Sequence, residues 1–415
     1  MGGLVINELK KMVSKKRFFI VLTIMVIATA LFSSVSWSGL KDDKFPLYPE
    51  VKSIKHQIAF TSSRRDKAKL IDKKSSNEKN EAVVESLNRQ LEILGEQKDL
   101  LLEFEKVGSD WRSILKKDIA LVEKKKGFAE SEGDKNVIED INKELIYKKF
   151  LLEKDVKYTS KPAASAFYNL PSILYYNQRV FLLLIISILI LDIVSGEQEA
   201  STIKVLLTKP VSRAKVLLSK FIAITIASNG VVLAVQGLAF LFFGIFFTFG
   251  NHNTPFVKGT KYCIDYALIN EGRRGISPVI GSSTVVPAWE MILQLLLLQI
   301  LIITACAAFC LLISTIFKSN VPTVGVGMLF FIANWLAGFN VVFSPNQGTR
   351  TTLLEKVMPY FFGTYYDLFA LSTGKSSEML LNPIVTTSLF VLVCFAWIVV
   401  CYGVAHMIFT KRDVL

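Results

Sequence analysis

The sequence predicts an all-α membrane protein of six transmembrane helices, with an amino-terminal amphipathic elbow helix and a large helical extracellular insertion between spans 1 and 2. Three observations carry this reading. Of the 415 residues, 51% are hydrophobic, and the mean hydropathy is +0.42. The apolar residues are gathered into runs long enough to cross a bilayer core of roughly 30 Å. The net charge of +13 is unevenly placed, because residues 41–178 hold 27 basic and 24 acidic side chains. The surplus therefore lies in short segments beside the apolar runs, as the positive-inside rule expects. That distribution excludes a nucleic-acid binder, whose cations would gather along one phosphate-facing surface.

Residues 1–17 set Val5, Ile6, Leu9, Met12 and Val13 against Lys10, Lys11, Lys15, Lys16 and Arg17. On a helix this gives an apolar stripe with a cationic back, the layout of an elbow helix lying on anionic lipid. The alternative is the start of a signal peptide, with Phe18–Val35 as its apolar core and cleavage near Ser36. The apolar run is long for that role, so residues 18–40 are read as a retained first span.

From 41 to 178 the chain is polar, helical in composition and free of spans. Val84, Leu87, Leu91, Leu94 and Leu101 follow heptad-like spacing broken by Lys98, and Ile138, Ile141, Leu145 and Leu152 do so later. Gly108-Ser109, Gly127 and Glu132-Gly133-Asp134 are the expected turns. This predicts two or three helices folded as an antiparallel, coiled-coil-like hairpin. Tyr168, Pro171, Tyr175 and Tyr176 then mark the return to the membrane interface.

Residues 179–415 carry spans 2–6, over about 180–194, 214–249, 289–317, 321–343 and 383–409. Asp192 is expected near the cytoplasmic edge, where a basic neighbour can pair with it. A loop over 250–288 and a second over 344–382 lie outside. The aromatic stretch Leu353–Phe369, broken by Pro359 and Gly363, predicts a re-entrant helix pair in the outer leaflet. Gly325 and Gly327 allow close approach of span 5 to a neighbour. Segments 1–17, 196–220, 318–320 and 410–415 each contain Lys or Arg, which places both termini in the cytoplasm.

The loop 196–213 organises the rest. Ser201 or Thr202 can cap a short helix, Ile203, Leu206 and Leu207 share one face, and Pro210 ends it. Glu197 and Glu199 precede it, and Lys209, Arg213, Lys215 and Lys220 follow. The run from Glu197 through Thr208-Lys209-Pro210-Val211-Ser212-Arg213 to Lys220 resembles the first cytoplasmic loop of bacterial ABC-2 type permeases. Those are membrane subunits of ATP-binding cassette exporters. Ser201 stands where that family often has Gly, a change that supplies a cap. The closing Phe409-Thr410-Lys411-Arg412-Asp413-Val414-Leu415 is similar to that family too, whereas 41–175 carries none of its motifs.

The resemblance implies a coupling helix seated in a cleft of a separate ATPase, formed by Glu197, Glu199, Thr202, Ile203, Leu206, Leu207, Pro210 and Arg213. It implies an elbow helix that also touches the ATPase, with Leu9, Lys10, Lys11, Met12 and Lys16. Further implied are a second permease copy (homodimer or related heterodimer), a bacterial cell-membrane location, and ATP with Mg bound on the partner rather than on this chain. Asn229, Gln236, Asn334 and Asn340 are polar groups at lipid depth that either bond between helices or line a path.

No catalytic constellation is visible. The three histidines are scattered, the five cysteines have no metal-site spacing, and 41–178 contains no cysteine. Gly374-Lys375-Ser376 lacks the first glycine of a phosphate-binding loop. The chain is therefore expected to be a non-catalytic transport subunit with an amphiphilic cargo (a peptide antibiotic, lipid-like molecule or hydrophobic drug). The alternative is a membrane-anchored receptor acting through the 41–178 hairpin. An ion-coupled carrier would need carboxylates at mid-membrane, which the spans nearly lack.

Overall fold

The computed structural model describes residues 1–41, 48–72, 78–104, 110–157, 165–171, 174, 182–199, 211–270, 275–343 and 356–411. Helix α1 (Gly2–Ser14) turns at Lys15 into α2 (Lys16–Lys41), over the residues read as elbow and first span. Among the described residues, three helices are long and apolar enough to cross a membrane. They are Arg213–Phe246, Ala288–Ile316 and Thr387–Lys411, α9, α11 and α15 below.

Among its described residues the polar stretch holds four long helices where two or three were expected: α3 (Tyr48–Asp72), α4 (Glu78–Phe104), α5 (Trp111–Glu132) and α6 (Lys135–Glu153). Helices α3 and α4 pack together, α4 meets α5, and α5 meets α6. One core draws on all four, including Ile54, Leu94, Leu101, Leu115, Val122, Ile141 and Leu145. The α5–α6 turn falls where expected. Gly133 takes φ +77° as the left-handed cap, and Asp134 accepts from the Asn136 and Val137 amides. Gly127, by contrast, lies inside α5. One glycine costs a helix only about 1 kcal/mol relative to alanine, which packing overrides. Gly108-Ser109 lies outside the described residues.

Helix α7 (Leu182–Ile190) passes through a turn at 191–194 into the short α8 (Ser195–Glu199). Helix α9 (Arg213–Phe246) begins on Ser212, whose hydroxyl accepts from the Lys215 amide. The loop after α9 contains four short strands, which heptad and span patterns did not suggest. Strand β1 (Pro255–Lys258) pairs antiparallel with β4 (Thr284–Pro287), and β2 (Tyr262–Ile264) with β3 (Ile276–Pro278). The short α10 (Tyr266–Asn270) lies between β2 and β3.

Helix α11 (Ala288–Ile316) is the innermost and most buried of the three long apolar helices. It packs on α9, α7, α12 (Asn320–Phe343) and α15 (Thr387–Lys411). Gly327 of α12 lies so close to the Leu191 side chain that a Cβ would collide with it, whereas Gly325 faces open space. Residues 358–364 are two single 3₁₀ turns, at the Pro359 and Gly363 breaks, and 353–355 of the expected re-entrant pair lie outside the described residues. Helices α13 (Leu368–Thr373) and α14 (Lys375–Met379) follow. The Phe362 ring packs with Phe309, Phe330, Phe331 and Trp397, so it is buried among α11, α12 and α15. The last span begins at Thr387 rather than Pro383.

Candidate coupling site

Glu8 occupies the inward stripe of α1 beside Met12, and both are buried. Lys220 lies on the α9 face that carries Val216, Leu217, Ala223 and Ile224, and it is 0% exposed. An isolated charge there would be very costly. Its Nζ lies 2.9 Å from Glu8 Oε2 and 2.7 Å from Glu197 Oε2. Lys11 closes the ring, with Nζ 3.1 Å from Glu8 Oε1 and 3.1 Å from Glu197 Oε1. Two acids and two bases alternate, so the ring is neutral as a unit and each ion has two opposite neighbours, with Lys220 and Glu8 buried and Lys11 at the solvent side. Burial pushes the Glu197 carboxyl up, but Lys220 and Lys11 outweigh it and hold that group below its ordinary value. Burial likewise lowers Lys11, and its two carboxylates more than reverse this.

Six further contacts fix the same stretch. Asp192 Oδ2 pairs with Lys15 Nζ at 3.2 Å and Arg17 Nη1 at 2.7 Å, as its position near a basic segment suggested. Glu199 Oε2 accepts from the amide of Asn320 at 2.7 Å, at the first residue of α12, where unpaired amides and the helix dipole favour an anion. The Ser314 hydroxyl oxygen accepts from the Val194 and Ser195 amides, each at 3.0 Å, and Ser195 Oγ donates to Asn320 Oδ1 at 3.0 Å. Residues 192–199 are thus gripped by α1, α9, α11 and α12 together. Just beyond, Arg213 Nη1 donates to the Thr410 carbonyl near the end of α15, at 3.4 Å.

A family profile for the ABC-2 family transporter protein matches residues 3–414. The chain belongs to the ABC-2 transporter family. No curated protein matches it significantly. ABC-2 permeases are membrane-integral transport components that work with ATP-binding cassette ATPases and are not themselves catalytic.

In this permease Glu197 and Glu199 sit in the gripped stretch and Arg213 at the start of α9, whereas Thr202, Ile203, Leu206, Leu207 and Pro210 lie outside the described residues. On α1, Lys11 enters the ring, Met12 is buried, Leu9 packs beside the core, and Lys10 is exposed. Lys16, at the start of α2, is exposed as well. Glu8 completes the site without having been singled out, and Lys220 was read only as the basic end of the loop. Their signal was a charge on an apolar face: Glu8 falls between Val5 and Met12, and Lys220 between Val216 and Ile224.

The polar groups at depth divide differently. Gln236 of α9 and Gln299 of α11 are both buried and exchange amide hydrogen bonds of 2.9 and 3.0 Å. Asn229 donates to the Thr225 carbonyl of its own helix at 2.9 Å, and Asn334 to that of Phe330 at 2.8 Å. The side chain of Asn340 lies outside the described residues. Gln299→Leu should cost the permease about 1 kcal/mol, because it strands the Gln236 amide. The double change with Gln236→Leu should recover most of that loss in thermal unfolding in detergent, and a non-recovering double would refute the pairing.

Proposed function

We propose that this chain is the transmembrane subunit of an ABC exporter in a bacterial cell membrane, with both termini cytoplasmic. It works as a pair with a second copy or a related permease, and Mg-ATP is bound and hydrolysed on separate ATPase subunits. Closure of the ATPases presses on the 196–213 loop. The neutral ring of Glu8, Lys11, Glu197 and Lys220 carries this reading, because it makes the loop's start, the elbow helix and α9 one mechanical unit. A loop that merely obeyed topology rules would have no reason to bury a lysine between carboxylates from two distant segments. The gripped stretch passes the push to α11 and α12 through Ser314 and Asn320.

The cargo in this reading is amphiphilic, since the spans are rich in Phe, Leu and Ile and offer little fixed charge for a small ion. The rival role, a membrane-anchored receptor acting through the insertion, makes the opposite demand on the loop. Leu206→Asp with Leu207→Asp should reduce co-purification of a nucleotide-binding ATPase from native membranes at least tenfold, a loss of about 1.4 kcal/mol or more. If the ATPase stays bound to the double variant, or an active preparation contains none, the exporter reading fails.

A further inference from the structure

We propose that Glu139 is a positioning residue that locks the helical insertion to the segment between α9 and α11, so that the two move as one rigid head. Glu139 lies on α6 and is 0% exposed, yet among the described residues no cation pairs with it. Its carboxylate instead accepts from the Gly281 amide at 2.6 Å, the Ser283 amide at 3.3 Å, the Ser283 hydroxyl and the Asn142 side-chain amide at 3.5 Å. Gly281 has φ +75°, a turn conformation in which its amide and that of Ser283, on either side of Ser282, converge on one anion. A buried carboxylate is tolerable only when its oxygens are filled in this way. Three of the four donors come from a turn about 140 residues away in the chain. Lys135 Nζ adds a second stitch to Asp265 Oδ2 at 2.9 Å.

The turn is itself held to the membrane part. Strand β4 pairs with β1, and Lys258 of β1 reaches Glu290 Oε1 at 2.8 Å and Gln294 Oε1 at 3.0 Å on α11. Thr260 shares a hydroxyl contact of 2.8 Å with Ser283. Gly374, at φ +86°, sits so close to the Thr260 carbonyl that no Cβ fits. The linkage therefore runs without a gap from α6 through the 279–284 turn to the first turns of α11. Displacing the start of α11 moves the insertion, and a load on the insertion is felt by α11. A tethered appendage would need neither the buried carboxylate nor the glycine contact.

The test uses full-length protein in lipid nanodiscs. Spin labels at Lys149→Cys and Lys261→Cys, in a chain also carrying Cys263→Ser, should give one narrow distance, at least twofold broader when Glu139→Gln is added. That amide puts a donor where an acceptor is needed. Hydrogen exchange in Glu139→Gln should accelerate by about tenfold or more in 276–287 and in 135–145 together, with 295–316 unchanged. A broad distance distribution in the labelled parent overturns the proposal whatever the variants do. So does exchange in Glu139→Gln within about twofold of the parent in either segment. If Glu139→Gln does not fold, Ser283→Ala, which removes only the hydroxyl donor, should broaden the distance, and an unchanged width overturns the proposal.

Discussion

Lys220→Met should be the most damaging single substitution in the membrane part of the protein. The change removes the one fully buried cation of the ring and leaves Glu8 and Glu197 with Lys11 alone. Removing one partner of a buried ion pair typically costs about 3–5 kcal/mol, because the remaining charge is stranded in a poor solvent. The methionine fills a similar volume, so lost packing is a minor part. Adding Glu8→Gln restores neutrality and should recover much of the stability, since Glu197 keeps Lys11. Stability and transport then separate. The double variant should fold, but its elbow helix is less firmly tied to α9, so ATP hydrolysis should run with less cargo moved per ATP. Thermal unfolding in detergent reads the first effect, and the transport-to-hydrolysis ratio in proteoliposomes reads the second. Parental stability in Lys220→Met would remove the ring from the account.

A loss of similar size is expected in the insertion from Lys148→Met. Lys148 is 4% exposed and lies between Asp118 Oδ2 at 2.7 Å and Glu144 Oε1 at 2.6 Å. Without the ammonium, two carboxylates face one core site, again about 3–5 kcal/mol worse. The pH dependence should change form as well. In the parent, burial raises Glu144 but Lys148 and Lys125 hold it below its ordinary 4.5, so its contribution is present above that value and lost on acidification. Burial lowers Lys148, and Glu144 and Asp118 more than reverse this, so its contribution is complete below 10.5 and lost as pH rises through its folded value. Burial pushes Asp118 up despite Lys148, which returns some stability in acid. The parent insertion should therefore hold a plateau between about pH 5 and 10. Lys148→Met should instead gain stability steadily as pH falls from 8 to 5, because protonation relieves the stranded acids. Hydrogen exchange over 111–153 at several pH values measures this, and parallel profiles for the two proteins would disprove it.

The long apolar helices were legible because a bilayer demands one crude property, a run of apolar residues of sufficient length. Their limits came within a few residues, as for α9 and α11. The insertion was helical as its heptads indicated, but the number of helices was not readable. The interval between α3 and α4, residues 73–77, contains neither Gly nor Pro, whereas Gly127, which looked like punctuation, is absorbed in α5. Strands of three or four residues, such as β2, are too short for alternation to register. At the candidate coupling site, Glu197 and Glu199 were found from a local pattern, while Glu8 and Lys220 meet across 212 positions. No window along the chain contains both. Each alone looked like an ordinary flanking charge, and only its place on a helix's apolar side betrayed a partner elsewhere.

That separation of Glu8 from Lys220 sets a schedule for biogenesis. At a ribosomal pace of about 5–20 residues per second, the lysine is polymerised on the order of 10–40 s after the glutamate. During that interval Glu8 has Lys11 as its one partner from the ring. A quality-control protease that surveys half-made chains would have this window, and a chain stalled before codon 220 would never close it.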